Sequence, residues 1–346
     1  MDTPAARIPT LDDVARVAGV SRATVSRALR DTRRVAPELK ELVGRAVAET
    51  GYVPNRAART LAGGRTGSVV VAVTGASASD FGDDGHDMFG DPFFSRVIGG
   101  LIRTLRVLER QPLLMVVDRP ADRDEVLNLV RHGAADGALL VSTQADDPLP
   151  ASFAAARLPA VSFARPAGGA PLSFVDVANH DGGRFAAEHL ATRDRRRVAV
   201  ITGPPGVLSG EDRVRGFVDA MARRGQPFPP TAIGDYTLES GERAMAELLA
   251  ADPSIDGVFA GNDLMALGAM HAIQATGRRV PDDVAVVGFD DSAIATIARP
   301  MLTTVRQPIE EMAAEMARAL VARLDEPGAA PASVVLEPVL VVRASA

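Results

Sequence analysis

Thr10-Leu11-Asp12-Asp13-Val14-Ala15-Arg16-Val17-Ala18-Gly19-Val20-Ser21-Arg22-Ala23-Thr24-Val25-Ser26-Arg27-Ala28-Leu29-Arg30 holds two short helical patterns with a break between them. The first opens on a capping-box-like Thr10 and Asp13 and carries Leu11, Val14 and Val17/Ala18 at helical spacing. Gly19-Val20 makes a tight break, and Ser21 caps a second helix. On that helix Val25, Ala28 and Leu29 face inward, while Arg22, Ala23, Ser26, Arg27 and Arg30 share the outward face. Pro37 opens a third helix, striped by Leu39, Leu42/Val43 and Ala46/Val47 and stopped by Gly51. This is the pattern of a helix-turn-helix, whose second helix is the size that a DNA major groove admits. Arginines near its start can grip guanine O6 and N7 together, while Ser21, Thr24 and Ser26 donate to phosphates. Periodicity alone also allows an amphipathic hairpin with a solvated arginine face.

Charge supports the first reading. Residues 1–65 carry a net charge of +5 inside a chain whose total is −6. A basic head on an acidic body suggests that the head meets a polyanion while the body has another task.

From Ser68 onward the pattern changes. Apolar runs at Ser68–Thr74, Leu113–Val117, Gly137–Val141, Ala160–Ala164, Arg197–Thr202, Gly257–Ala260 and Val284–Phe289 alternate with helical periodicity. Such alternation predicts parallel sheets covered by helices on both faces, and the strand number suits two of them. Two doubly wound lobes side by side make a cleft at the carboxyl ends of their strands, where a small ligand sits.

The wording of the segment from Thr10 to Leu29, and of Gly51-Tyr52-Val53-Pro54-Asn55-Arg56-Ala57-Ala58-Arg59-Thr60-Leu61-Ala62-Gly63, resembles the head of the lactose/galactose-repressor family of bacterial transcription regulators. Gly261-Asn262-Asp263, Gly288-Phe289-Asp290-Asp291 and Leu302-Thr303-Thr304-Val305-Arg306-Gln307 continue the resemblance through the body. It implies an α/β fold class: an N-terminal all-α helix-turn-helix head plus two doubly wound parallel-sheet lobes resembling periplasmic sugar-binding proteins. The expected division is a head over 1–53, a hinge helix and linker over 54–66, and an effector-binding and dimerisation body over 67–346. Within the body the first lobe is expected at about 67–164 and 292–325, and the second at about 165–291 and 326–346.

By the same resemblance Arg22, Ala23 and Arg27 read bases, and a hinge helix inserts Leu61 into the minor groove. Leu11, Arg34, Asn55 and Ala58 complete the candidate DNA-binding set with Ser21, Thr24 and Ser26. In the body the resemblance places Arg213, Asn262, Asp290 and Gln307 as polar ligand contacts and Arg165 as a further one. Tyr236 falls at an aromatic platform, and Phe93 and Phe94 in the first strand-to-helix connection could wall the pocket. Planar side chains that grip vicinal hydroxyls, with an aromatic face for the C–H surface, suit a sugar. Two departures stand out: a long Gly- and Asp-rich connection over 75–91, and Ala178 where many members carry an aspartate before Asn179.

The expected partners are double-stranded DNA with a pseudo-palindromic operator, a small-molecule effector, commonly a sugar, and a second copy of the chain as homodimer. No cofactor is expected and no metal, since there is no cysteine and the five histidines show no ligand spacing. No phosphate loop, nucleophile elbow or dinucleotide fingerprint points to an enzyme. Without a membrane-length apolar run or a signal-peptide pattern, the cytoplasm is the expected location. A solute-binding protein with a vestigial head and an α/β enzyme acting on a sugar or nucleotide are the competing readings.

Overall fold

The computed structural model describes residues 9–30, 35–52, 65–75, 91–142 and 146–346. The sequence candidates Arg34, Asn55, Ala58 and Leu61 lie outside the described residues, as does most of the 75–91 connection. The chain divides into two units, Met1–Thr66 and Gly67–Ala346.

In the first unit α1 (Leu11–Ala18), α2 (Arg22–Arg30) and α3 (Pro37–Thr50) follow the expected order. Thr10 caps α1 through a reciprocal capping box with Asp13, and Gly19 ends it with φ 64°. Val14, Ala18, Val25, Ala28, Val43, Ala46 and the ring of Tyr52 form the core of the unit. The inward stripe of each helix is thereby consumed, which leaves the other face of α2 to solvent.

The second unit holds two six-stranded sheets. Along the chain they are built from β1 (Ser68–Thr74), α4 (Pro92–Val107), β2 (Gln111–Val117), α5 (Pro120–Arg131), β3 (Gly137–Ser142), α6 (Leu149–Ala155), β4 (Ala160–Phe163) and β5 (Ser173–Val177), then α7 (Asn179–Thr192), β6 (Val198–Thr202), α8 (Leu208–Ala222), β7 (Thr231–Ile233), α9 (Leu238–Ala251), β8 (Gly257–Ala260), α10 (Asp263–Ala275), β9 (Ala285–Asp290), α11 (Ala293–Ile297), β10 (Thr303–Arg306), α12 (Ile309–Asp325), β11 (Ser333–Leu336) and β12 (Val339–Val341). Spatial order is β11-β5-β4-β3-β1-β2 in the first sheet and β12-β10-β9-β8-β6-β7 in the second. All pairs are parallel except β10 with β12. Every residue of β1 is buried, as a central parallel strand covered on both faces requires. In both lobes the strand order reverses beside the first strand, so the switch points lie at the carboxyl ends of β1 and β3 and of β6 and β8.

The lobe boundaries differ from those expected. Strand β5 belongs to the first sheet and β10 to the second, while the tail gives β11 to the first and β12 to the second. The chain therefore crosses between lobes near 178, at Gln307-Pro308 and near 337–338. Helix α12 packs into the first lobe's core through Ile309, Met312, Met316 and Leu320. β5 lacks the continuous apolar run of a central strand because it alternates buried and half-buried positions, Ser173-Phe174-Val175-Asp176-Val177.

Candidate functional site

Helix α2 presents Ser21, Arg22, Ala23 and Arg27 to solvent, with Thr24 and Ser26 half-buried beside them. Ser21 Oγ accepts from the Thr24 amide at 3.1 Å, and the two hydroxyls meet at 2.8 Å. Arg22 stands 3.6 Å from Asp12, and Arg27 Nε donates weakly to the Ala23 carbonyl at 3.4 Å. Neither exposed contact holds its guanidinium firmly, since surface pairs contribute roughly 0–1 kcal/mol. Leu11 is half-buried against the head core, so packing occupies much of its side chain.

In the second lobe the site is assembled by helix contacts that only glycine permits. A Cβ on Gly183 of α7 would lie 1.9 Å from the Arg213 carbonyl, and one on Gly216 of α8 would lie 1.8 Å from the His180 carbonyl. This close approach seats Arg213 on the end of α7. Its Nε donates to Asn179 Oδ1 at 2.9 Å, and its Nη1 donates to the Gly261 carbonyl beyond β8 at 2.8 Å. Asn179 in turn donates to Asp176 Oδ1 at 2.9 Å. Among the described residues Nη2 of Arg213 meets no acceptor. Asp176 and Asn179 were not among the sequence candidates; their signal was the helix start after a strand, obscured by Ala178.

Asp290 ends β9 with its Oδ1 3.9 Å from Arg213 and bonded by Gln307 Nε2 from the crossover. Burial pushes its carboxyl up to about 6, and the Arg213 charge opposes that rise. Asp263, the first residue of α10, is also pushed up, by burial and by the charge of Asp290. It accepts from the Ser292 amide and the Thr304 hydroxyl. Asp291 turns away and pairs with Arg306 and Arg343, as neighbouring residues at a strand end should.

Tyr236 lies over Gly203 and Gly210, where a Cβ would come within 2.1 and 2.4 Å of its ring and hydroxyl. Its backbone is left-handed, φ 71°, and burial raises its hydroxyl's pKa. No hydrogen-bond partner meets that hydroxyl among the described residues. Asn262 caps α10 by accepting from the Met265 amide, and donates to the Tyr236 carbonyl, both at 2.9 Å. Its amide thus ties Tyr236 to the start of α10.

On the first lobe Phe94 is only 5% exposed and belongs to the core, which consumes its ring as packing. Phe93 is half-buried and meets Phe163, at the end of β4, edge-on with centroids 5.4 Å apart. Arg165 pairs with Asp212 of α8 at 2.6 Å, joining the lobes. Asp91 caps α4, and burial raises its carboxyl. A separate polar hollow of about 560 Å³ lies where β6 and β9 begin, lined by residues including Arg193, Arg195, Pro281 and Arg343. It is remote from the switch points, where a doubly wound lobe binds its ligand.

Residues 10–55 match the model for bacterial regulatory proteins of the lacI family, and residues 187–346 match that for the periplasmic binding protein-like domain. The HTH-type transcriptional regulator CelR of Thermobifida fusca is 40% identical over 98% of both chains. The ribose operon repressor of Escherichia coli K12 is 30% identical over 97% of this chain and 99% of its own. Among solved structures, a transcriptional regulator CelR–cellobiose complex is 38% identical with a TM-score of 0.74, covering 98% of this chain and 100% of that one. The lac repressor dimer bound to operator and the anti-inducer ONPF is 28% identical with a TM-score of 0.82, covering 98% and 99%.

Proposed function

The chain belongs to the lacI family of bacterial regulatory proteins, DNA-binding transcription regulators of the helix-turn-helix type, and from that premise we propose that it is a repressor whose operator affinity is set by an uncharged sugar bound between its lobes. The observation that carries the ligand class is an inventory of charge. Among the described residues around the site, Arg96, Arg165 and Arg213 each have a carboxylate within 4 Å. A phosphate or carboxylate ligand would meet guanidiniums whose charge is already countered, with the Asp91 and Asp290 carboxyls close by.

What the site offers instead is one donor at Arg213 Nη2, a hydroxyl at Tyr236 and an acceptor at Asp290 Oδ2, with aromatic surface on Tyr236 and Phe93. Those groups complement vicinal hydroxyls and the C–H face of a pyranose. The cellobiose in the CelR complex supports a glucoside as the first sugar to try.

In the head, Arg22, Ala23 and Arg27 read base edges, while Ser21, Thr24 and Ser26 fix the register on phosphates and Leu11 and Arg34 complete the DNA-binding set. Residues 54–66 act as the hinge, in which Leu61 enters the minor groove and Asn55 and Ala58 are further DNA contacts. A homodimer on a pseudo-palindromic operator fits the two-fold logic of such heads, and the lac repressor relative was solved as a dimer on its operator. No helix among the described residues is long and apolar enough to cross a membrane. We assign the protein to the cytoplasm, where the operator is, and assign it no catalytic role.

The test begins by selecting sheared genomic DNA on the full chain at near-physiological salt and sequencing what is retained. Binding of the recovered site is then titrated against cellobiose, ribose, glucose 6-phosphate and hypoxanthine. Recovery of a palindrome that responds to a neutral sugar supports the reading; a response to the phosphate or the purine alone overturns the ligand class.

A further inference from the structure

The turn that carries Asp290 is held from the opposite lobe. Asp290 and Asp291 both have left-handed backbone, with φ of 110° and 50°. Non-glycine residues keep such conformations only where the surroundings over-determine them. Here the surroundings include one guanidinium. Arg96, on α4 of the first lobe, donates from Nη1 to the carbonyls of Asp290 and Asp291 at 3.0 and 3.4 Å. Its Nε and Nη2 hold both carboxylate oxygens of Glu310, each at 2.8 Å.

Glu310 lies three residues beyond Gln307, whose amide bonds the Asp290 carboxylate. A closed circuit results: the main chain of the turn to Arg96, Arg96 to Glu310, Glu310 along the crossover to Gln307, and Gln307 back to the side chain of Asp290. A planar fork gives Glu310 two parallel donors and the turn carbonyls another edge, a match that a point-like ammonium does not reproduce. The bonds from Arg96 to the turn carbonyls are partly buried, whereas the Glu310 carboxylate that braces it stays open to water.

We propose that Arg96, braced by Glu310, is the positioning residue of the ligand site. It fixes the Asp290 turn against the first lobe, so that a ligand engaging the Asp290 carboxylate moves α4 and the crossover with it. Arg96 itself touches no ligand. The proposal rests on Asp290 as a ligand contact, and its test separates the two claims.

Hydrogen exchange is followed on the full chain for wild type, Arg96→Gln, Arg96→Lys and Glu310→Gln. The reporter is the Ser292 amide, which donates to Asp263 Oδ2 at 2.7 Å just beyond the turn. The expected result is exchange about tenfold faster over 290–293 in Arg96→Gln, with Arg96→Lys between it and wild type and β6 unchanged, reflecting local opening. A second arm measures cellobiose affinity and the ratio of operator affinities with and without cellobiose. In Arg96→Gln the ratio is expected to fall about fivefold further than the sugar affinity does, a split that general loosening of the fold would not produce.

If Arg96→Gln fails to fold, Glu310→Gln carries the test, with exchange about threefold faster over the same residues. Exchange and ratio both within twofold of wild type in a variant that melts normally would overturn the proposal. A wild-type chain indifferent to cellobiose would count against the glucoside, and the exchange arm would still judge Arg96.

Discussion

The guanidinium carbon of Arg213 stands 3.8 Å over the centroid of the Phe289 ring. The aromatic face supports one side of the cation, while Asn179 and Gly261 take Nε and Nη1. The remaining donor therefore has a fixed direction before any ligand arrives, and pre-organised donors save the ordering cost of binding.

Arg213→Lys keeps the charge and loses the fork. Cellobiose affinity is expected to fall about 10- to 100-fold, the equivalent of ~1.5–3 kcal/mol for a hydrogen bond to a charged group. Calorimetric titration checks it, and unchanged affinity would remove Arg213 from the site.

Gly216→Ala puts a methyl group onto the His180 carbonyl. Helices α7 and α8 must then separate, at a cost of about 1–3 kcal/mol or more. The denaturation midpoint should drop with an unchanged slope, and sugar affinity should drop with it, because Asn179 and Arg213 sit on the two helices that move apart.

The Asp290 carboxyl gives a pH signature. Its pKa of about 6 in the folded chain stands against about 3.9 when unfolded, so between pH 4 and 6 the folded state binds the extra proton. Stability contributed by this group is therefore greatest at low pH and is lost as pH rises through that window, by up to ~3 kcal/mol. Asp290→Asn removes this group's share of the dependence and leaves that of Asp263. Its stability relative to wild type is expected to rise from pH 4 to pH 7 in parallel urea titrations, and a flat difference would mean that Asp290 is not raised by burial.

In the head, Arg27→Ala should weaken the selected operator about 5- to 150-fold, the ~1–3 kcal/mol of one bidentate base contact. Nonspecific DNA should lose much less. Equal losses on both DNAs, measured at one salt concentration, would reduce Arg27 to a phosphate contact.

The head was legible because each helix announces itself locally: Thr10 and Asp13 close the box, Gly19 takes the left-handed position, and the inward stripes meet in one small core. The alternation of the body was legible too, and β1 and β9 fall at or within a residue of where their apolar runs predict. The lobe boundaries were not. β5 is half polar, β11 is an exposed edge, and β10 reads Thr303-Thr304-Val305-Arg306, so none of them gives the apolar run of a buried parallel strand. Asp176 and Asn179 escaped for a related reason. Their role comes from a hydrogen-bond chain to a residue 34 positions away, which no local pattern encodes. Phe93 and Phe94 look alike in sequence, and only helical phase separates the core ring from the half-buried one.

An uncharged sugar that governs operator affinity leaves one plain signature in solution. The most direct measurement is an anisotropy titration of the full chain onto its genome-selected operator at fixed salt, with and without saturating neutral sugar. The operator dissociation constant is expected to shift about tenfold or more with one such sugar, cellobiose tried first, and the shift to vanish in Arg213→Lys at the same sugar concentration. An operator affinity that no neutral sugar alters, or that glucose 6-phosphate or hypoxanthine alters in its place, would contradict control by an uncharged sugar.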